Sequence, residues 1–270
     1  MIDDPHVGLG HLLIAIAEPH PAGLEAYHRW FERDHMYSAV LIGPGAFAAE
    51  RYKATRPLKG LRYPADGQVF PSIDVGSFVA LYYLVRGSVE EHFAWSYPQI
   101  EKLNAAGRNN LDRDLVLTWL CDYRGRVARD ADSVPPEIAF DHRYAGIVMV
   151  WVEAAPGRSP EDLERWLVGA ALPDALRDSP VDQVQIFSAR DFPEAAAGVA
   201  LTKGAIAPNV WVGRGLLLLY FLEIEPERAW EDHFAMLGRT LAESGVGNVK
   251  LAAPFVPTDR GRRANPDEIW

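Results

Sequence analysis

Cysteine is nearly missing from this chain. Cys121 stands alone in 270 residues, so no internal disulfide can form, and a reducing compartment, the cytoplasm, is expected. No apolar run reaches the roughly 18 residues of a membrane span. The longest, Leu12–Ala17 and Leu216–Phe221, have the length of strands. The first residues show no basic stretch followed by an apolar one, so no signal peptide is expected. Positive charge is scarce, with 27 Lys and Arg against 37 Asp and Glu. The net charge of −10 leaves no basic stripe to neutralise phosphates, which excludes nucleic acid as a partner. The basic tail at Arg260, Arg262 and Arg263 is short and runs into Asp267 and Glu268. Also missing are a Gly-x-Gly-x-x-Gly turn, a phosphate loop, a Gly-x-Ser-x-Gly elbow and a Cys/His cluster. Nucleotide-dependent chemistry and Ser or Cys nucleophiles are therefore not expected, and neither a metal nor a cofactor is called for.

What the chain has in quantity is core material and a repeat. It carries 8 Trp, 10 Tyr and 11 Phe, and 49% of its residues are hydrophobic. Glu90-Glu91-His92-Phe93-Ala94 returns as Glu231-Asp232-His233-Phe234-Ala235. Leu81-Tyr82-Tyr83-Leu84 upstream of the first copy matches Leu219-Tyr220-Phe221-Leu222 upstream of the second. The copies are roughly 140 residues apart, too far for a solenoid or propeller unit, so they read as a duplicated domain. The expected division is 1–140 and 141–270.

Each half reads as strand, helix, strand, long loop, strand, helix, strand. The first half has strands over Leu12–Ala17, Phe47–Lys53, Ser77–Arg86 and Leu115–Tyr123. Pro21 opens a helix through about Val40, with Leu24, Tyr27, Phe31 and His35 on one stripe. Ser88 is positioned to cap a second helix, whose apolar face carries Val89, Phe93, Ile100 and Leu103. Ala54–Gly76 and the segment 190–213 read as long loops, and Asp130–Tyr144 as an inter-repeat linker. The second half repeats the order with strands Ile147–Val152, Val184–Ala189, Leu216–Ile224 and Asn248–Phe255. Its helices are Pro160–Leu176, capped by Ser159, and Arg228–Ser244. The tail beyond Pro257 reads as loosely ordered, with Trp270 able to pin it. A βαββαβ unit is the ferredoxin-like plan, an α+β class. Its uncovered sheet face needs a partner, and a tandem copy supplies one, so two antiparallel sheets are expected to pack into an intrachain α/β barrel.

The residues Tyr27-His28-Arg29-Trp30-Phe31-Glu32-Arg33-Asp34-His35, then Gly43-Pro44-Gly45-Ala46-Phe47 and Glu50-Arg51-Tyr52, resemble dimeric α/β-barrel proteins of the EthD-like group. That group is marked by a helix ending in an acidic residue and His, a Pro-Gly turn and an Arg-Tyr strand. The resemblance covers residues 11–53 and is fainter beyond them. It implies a small-molecule site with the helix-end His as a functional residue. Relatives of this fold include cyclases, lactone isomerases, cofactor-free monooxygenases and haem proteins of the chlorite dismutase type, so fold alone leaves the reaction open. The second half departs from the pattern: Asp174 stands opposite His35 and Gly169 opposite Trp30. Only the first half is expected to keep a site.

Within that half, His35 is the candidate general acid/base, since imidazole titrates near neutrality. Tyr52 and Tyr83 are the candidate groups that polarise a substrate oxygen. Tyr27, Trp30, Phe31, Arg51, His92 and Trp95 are expected to line or rim the pocket. Tyr97 is a further aromatic candidate. A satisfied core histidine at a helix end is the structural alternative for His35. Three functions are carried forward. The first is a cofactor-independent lyase, isomerase or cyclase for a small aromatic or polyketide-like carbonyl compound. The second is a haem-dependent oxidoreductase, and the third a non-catalytic module that holds a hydrophobic metabolite. The chain is expected to act as a monomer, an intrachain pseudo-dimer, or as a homodimer, away from membranes.

Overall fold

A computed structural model describes residues 7–66, 69–193, 209–262 and 265–270. Arg263 and most of the 190–213 loop lie outside the described residues. The strands are β1 Leu9–Pro19, β2 Ala46–Lys53, β3 Phe78–Val85, β4 Arg113–Ala128, β5 Gly146–Ala154, β6 Val181–Arg190, β7 Gly215–Leu222 and β8 Gly247–Pro257. All pair antiparallel in one closed ring, β1-β3-β2-β8-β5-β7-β6-β4. The order β4-β1-β3-β2 in the first half returns as β8-β5-β7-β6 in the second. One seam between the halves is long, from Leu120↔Arg190 to Ala128↔Gln183. The other is short, Tyr52↔Pro257 and Lys53↔Val256.

Alternation along each strand divides the core into layers. Leu12, Ile14 and Ile16 of β1, with Val79, Leu81 and Tyr83 of β3, face the ring interior and meet Ile147, Met149 and Trp151 of β5. Their neighbours Leu13, Ala17, Phe78, Ala80, Tyr82 and Leu84 face outward, beneath the helices of the first half. A second outer layer lies under the helices of the second half, where Leu216, Leu218 and Tyr220 meet Trp230 and Phe234. With both faces of the sheet covered, the strands read as unbroken apolar runs rather than alternating ones.

Several segments differ from the sequence reading. The first helix begins as a 3₁₀ turn at Pro21–Gly23, becomes α1 over Leu24–Trp30, and continues as a π-helix over Phe31–Leu41. The expected loop Ala54–Gly76 contains α2, Arg56–Leu61, and Tyr63 bridges to Ala252 of β8. Ala139, Phe140 and Tyr144 of the supposed linker fill the ring interior. A closed ring of this size needs filling, and the nearest covalently tethered apolar segment provides it. The second helix of the second half is split into α6, Pro226–His233, and α7, Leu237–Glu243. In the first helix of that half, α4 Pro160–Trp166 and α5 Leu172–Leu176 flank a π turn. The capping box at Ser159 is present, its side chain and that of Asp162 bonding reciprocally. Ser88 precedes α3, Val89–Ala105, but its hydroxyl donates to the Val85 carbonyl instead of capping.

The tail is not loose. It ends in α8, Pro266–Ile269, where Ile269 is 1% exposed and the Trp270 indole donates to Glu18. No helix among the described residues is long and apolar enough to cross a membrane.

Candidate functional site

Between the outward face of the first half's sheet and its helices lies a cavity of ≈ 70 Å³, the core of a cleft of ≈ 780 Å³ counting its open mouth. That core has room for about five waters. Its floor is Leu13, Ala15 and Ala17 of β1, Tyr82 of β3, and Leu115 and Thr118 of β4. Tyr27, Trp30, Phe31 and His35 form one wall, and Phe93, Ser96, Tyr97 and Ile100 of α3 the other. Arg113 and Phe192 stand at its rim.

The π-helical segment decides where His35 goes. In an α-helix, residues five apart point about 140° away from each other. The wider turn, seen where the Ile42 amide donates to the Tyr37 carbonyl at 3.2 Å, brings such residues onto one face. His35 accordingly stacks on Trp30, with ring centroids 4.7 Å apart and planes 25° apart. The Trp30 indole is pinned by donating to the Arg108 carbonyl at 3.0 Å, and the Arg113 guanidinium lies 4.2 Å over its ring. Ser96 ties α3 to the π segment by donating to the Ala39 carbonyl at 2.6 Å. A π-helical insertion that aims a ring at a cavity is a recurrent mark of functional positions.

Burial pushes the His35 imidazole down to about 3, with help from the Arg113 and Arg51 cations. The near-neutral basicity expected from composition is therefore absent in the unliganded site. His35 is neutral throughout the physiological range and serves as a hydrogen-bonding ring.

Four of the nine expected site residues line the cavity: His35, Tyr27, Trp30 and Phe31. Five do not. Tyr52 and Tyr83 lie on the interior face of the ring, across the sheet from His35, because successive strand residues point to opposite faces. Tyr83 stacks on Phe140 at 3.8 Å and donates to Gln185 at 2.6 Å. His92 is fully buried and its Nδ1–H donates to the Pro44 carbonyl at 2.9 Å, a structural pin for the turn before β2. That turn needs Gly45, whose φ is +72° and where a Cβ would sit 2.2 Å from the Ser88 side chain. Trp95 packs over Gly43. Arg51 is 1% exposed, embraced by the rings of Tyr27, Phe31 and Phe78 at 4.9, 4.4 and 4.6 Å. It donates to His28 Nδ1 at 2.8 Å from behind the Tyr27 wall.

The residues missed by the sequence reading are Tyr82 and Thr118 of the floor, which join Tyr97 of the α3 wall, already named as an aromatic candidate. Tyr82, Tyr97 and Thr118 are nearly inaccessible, and their hydroxyls lack any hydrogen-bond partner. Burial raises the Tyr82 and Tyr97 phenols above their ordinary range, so both remain protonated donors. Among the described residues, none lining the cavity is acidic. The one signal available beforehand was the pair Tyr82-Tyr83: one of the two must face the helices.

No protein-family model matches the chain, and no curated protein matches it significantly. Solved structures do. An anthrone oxidase-like protein aligns with 97% of this chain and 96% of its own at 9% identity and a TM-score of 0.55. A heme-binding protein from Thermus thermophilus aligns over 93% of this chain and 92% of its own at 10% identity, TM-score 0.45. A DypB variant of Rhodococcus jostii in complex with heme covers 93% and 94% at 10% identity, TM-score 0.44. The likeness is one of fold: an α+β chain of ferredoxin-like plan with an eight-stranded antiparallel sheet.

A haem, as the oxidoreductase alternative would require, finds no fit in the residues present. Among the described residues lining the cavity, the one histidine that could ligate an iron, His35, is stacked on Trp30.

Proposed function

We propose that this chain is an enzyme of small-molecule metabolism that binds a planar aromatic compound bearing oxygen substituents in the first-half cavity and oxidises it. The observation that carries this is that three residues whose buried hydroxyls lack partners, Tyr82, Tyr97 and Thr118, all line one otherwise apolar, ring-walled slot. Orphaned polar groups of this kind cost free energy unless a ligand or water completes them. The aromatic walls select a flat partner, and the hydroxyls select one with acceptor oxygens. Oxidation is placed ahead of the lyase, isomerase or cyclase reactions because the structure of similar fold at TM-score 0.55 is described as anthrone oxidase-like. The EthD-like character of residues 11–53 belongs to the same reading. So do the division into 1–140 and 141–270, with a site in the first unit only, and a cytoplasmic monomer whose two halves close one ring.

In this site the ligand ring lies between the Trp30–His35 stack and the Phe93–Tyr97 pair, themselves stacked at 5.4 Å. Tyr82 and Tyr97 donate to its oxygens, and closure of the walls excludes water. Neutral His35, stacked on Trp30, contributes its ring to the aromatic wall that orients the ligand. The test is oxygen uptake by the purified protein on a panel of phenols, naphthols and anthrone, with binding followed calorimetrically. Oxygen uptake that is lost in Tyr82→Phe and Trp30→Ala supports the proposal. Absence of both binding and uptake across the panel rejects it.

A further inference from the structure

The charge around the cavity carries one step more, resting on the reading of the cavity as the ligand site. We propose that the cavity holds its ligand as an oxyanion, a phenolate or enolate, so that binding a phenol releases a proton. The lining supplies three hydroxyl donors in Tyr82, Tyr97 and Thr118 and one cation in Arg113, with no carboxylate. Behind the Tyr27 wall, β2 contributes the buried Arg51, whose Nε and Nη2 have no hydrogen-bond partner.

Of the acidic side chains on the helical wall, Glu32 keeps a buried Oε1 without a partner and its charge acts on Arg51, while its other oxygen and Asp34 are hydrogen-bonded elsewhere. Glu32 accepts from the Gly261 amide at 2.9 Å, and Asp34 accepts from Arg108 Nε at 3.0 Å. From α3 the only ionisable group facing the cavity is Tyr97, and from β3 it is Tyr82. A lining that offers three buried hydroxyls without partners and a guanidinium, with no carboxylate among the described residues, favours negative charge on a ligand oxygen.

When a neutral phenol binds, its O–H bond breaks, the electron pair stays on oxygen, and the proton leaves to solvent. No oxidant is involved in this step. The experiment uses 2-naphthol, whose neutral and ionised forms absorb differently, and its methyl ether, which cannot ionise. The expected result is a bound naphthol whose ionisation midpoint lies at least one pH unit below the free value. The corresponding preference over the ether is about tenfold or more.

Proton release measured in two buffers of different ionisation enthalpy should reach about 0.4 or more per naphthol one pH unit below the free compound's midpoint. Tyr82→Phe and Thr118→Val should each shrink the shift and weaken naphthol binding more than ether binding. Two results overturn the inference. If naphthol and ether both bind equally and the naphthol stays protonated, the oxyanion preference is wrong while the cavity remains the ligand site. If neither binds, the cavity reading itself falls, and this inference with it.

Discussion

Replacing Tyr82 by Phe should make the ligand-free protein more stable, although Tyr82 is among its most buried side chains. The ring is 1% exposed and its hydroxyl has no hydrogen-bond partner. A buried unsatisfied hydroxyl costs about 1–3 kcal/mol, and phenylalanine keeps the ring contacts while removing that cost. A gain of about 1–2 kcal/mol is expected. For a chain of 270 residues, with unfolding entropy of about 2.1 cal/mol/K per residue, that raises Tm by about 2–4 °C.

Tyr83 next door provides the control. Its hydroxyl donates to Gln185 at 2.6 Å in the ring interior. Tyr83→Phe strands the Gln185 carbonyl oxygen and should cost about 1–3 kcal/mol. Adjacent tyrosines thus give effects of opposite sign. Differential scanning calorimetry with a urea titration of each variant measures both. A Tm for Tyr82→Phe that falls by 2 °C or more would mean that its hydroxyl is satisfied in the free protein, and the reading of the cavity as an incomplete site would fail.

Other expectations follow from single contacts. Ser159→Ala breaks the capping box and should cost about 1 kcal/mol, read as a lower urea midpoint at unchanged slope. His28 and His35 are both held down to about 3 by burial and by neighbouring cations, so the unfolded chain takes up protons near the ordinary 6.5 that the folded chain refuses. Stability should therefore be full above pH 6.5 and decline as pH falls toward 3, and His35→Gln should flatten that decline. The His35 ring signals in NMR should not titrate between pH 5 and 8. Deleting Ile269 and Trp270 removes a fully buried side chain and the indole contact to Glu18. It should cost about 2–5 kcal/mol, seen as a drop in Tm.

The order of strands and helices was readable in the sequence because it is written in apolar runs and in turn residues such as Gly43-Pro44-Gly45. The duplicated phrase pointed to the two-part ring. The cavity was only half legible. Trp30 and His35 stood out by their place in the helix, yet their stack depends on a π turn that spacing does not announce. Tyr83 was chosen over Tyr82 because nothing local says which face of a doubly covered strand meets the helices. The near-identical burial of both removes the polar alternation that would normally decide it. His92, named as a pocket candidate, is instead held by a backbone carbonyl 48 residues away in sequence. The linker and the tail were misjudged for a related reason: polar, Pro-containing segments carry a few large apolar residues, Phe140, Tyr144 and Ile269, whose partners are distant in sequence.

The most direct test of the account is a crystal structure of the protein soaked with 2-naphthol at a pH above 7. The account predicts the naphthyl ring between the Trp30–His35 stack and Phe93–Tyr97, with its oxygen within hydrogen-bond distance of the Tyr82 hydroxyl. A naphthol bound elsewhere on the chain, or a cavity that stays filled by rearranged side chains at saturating ligand, would contradict it.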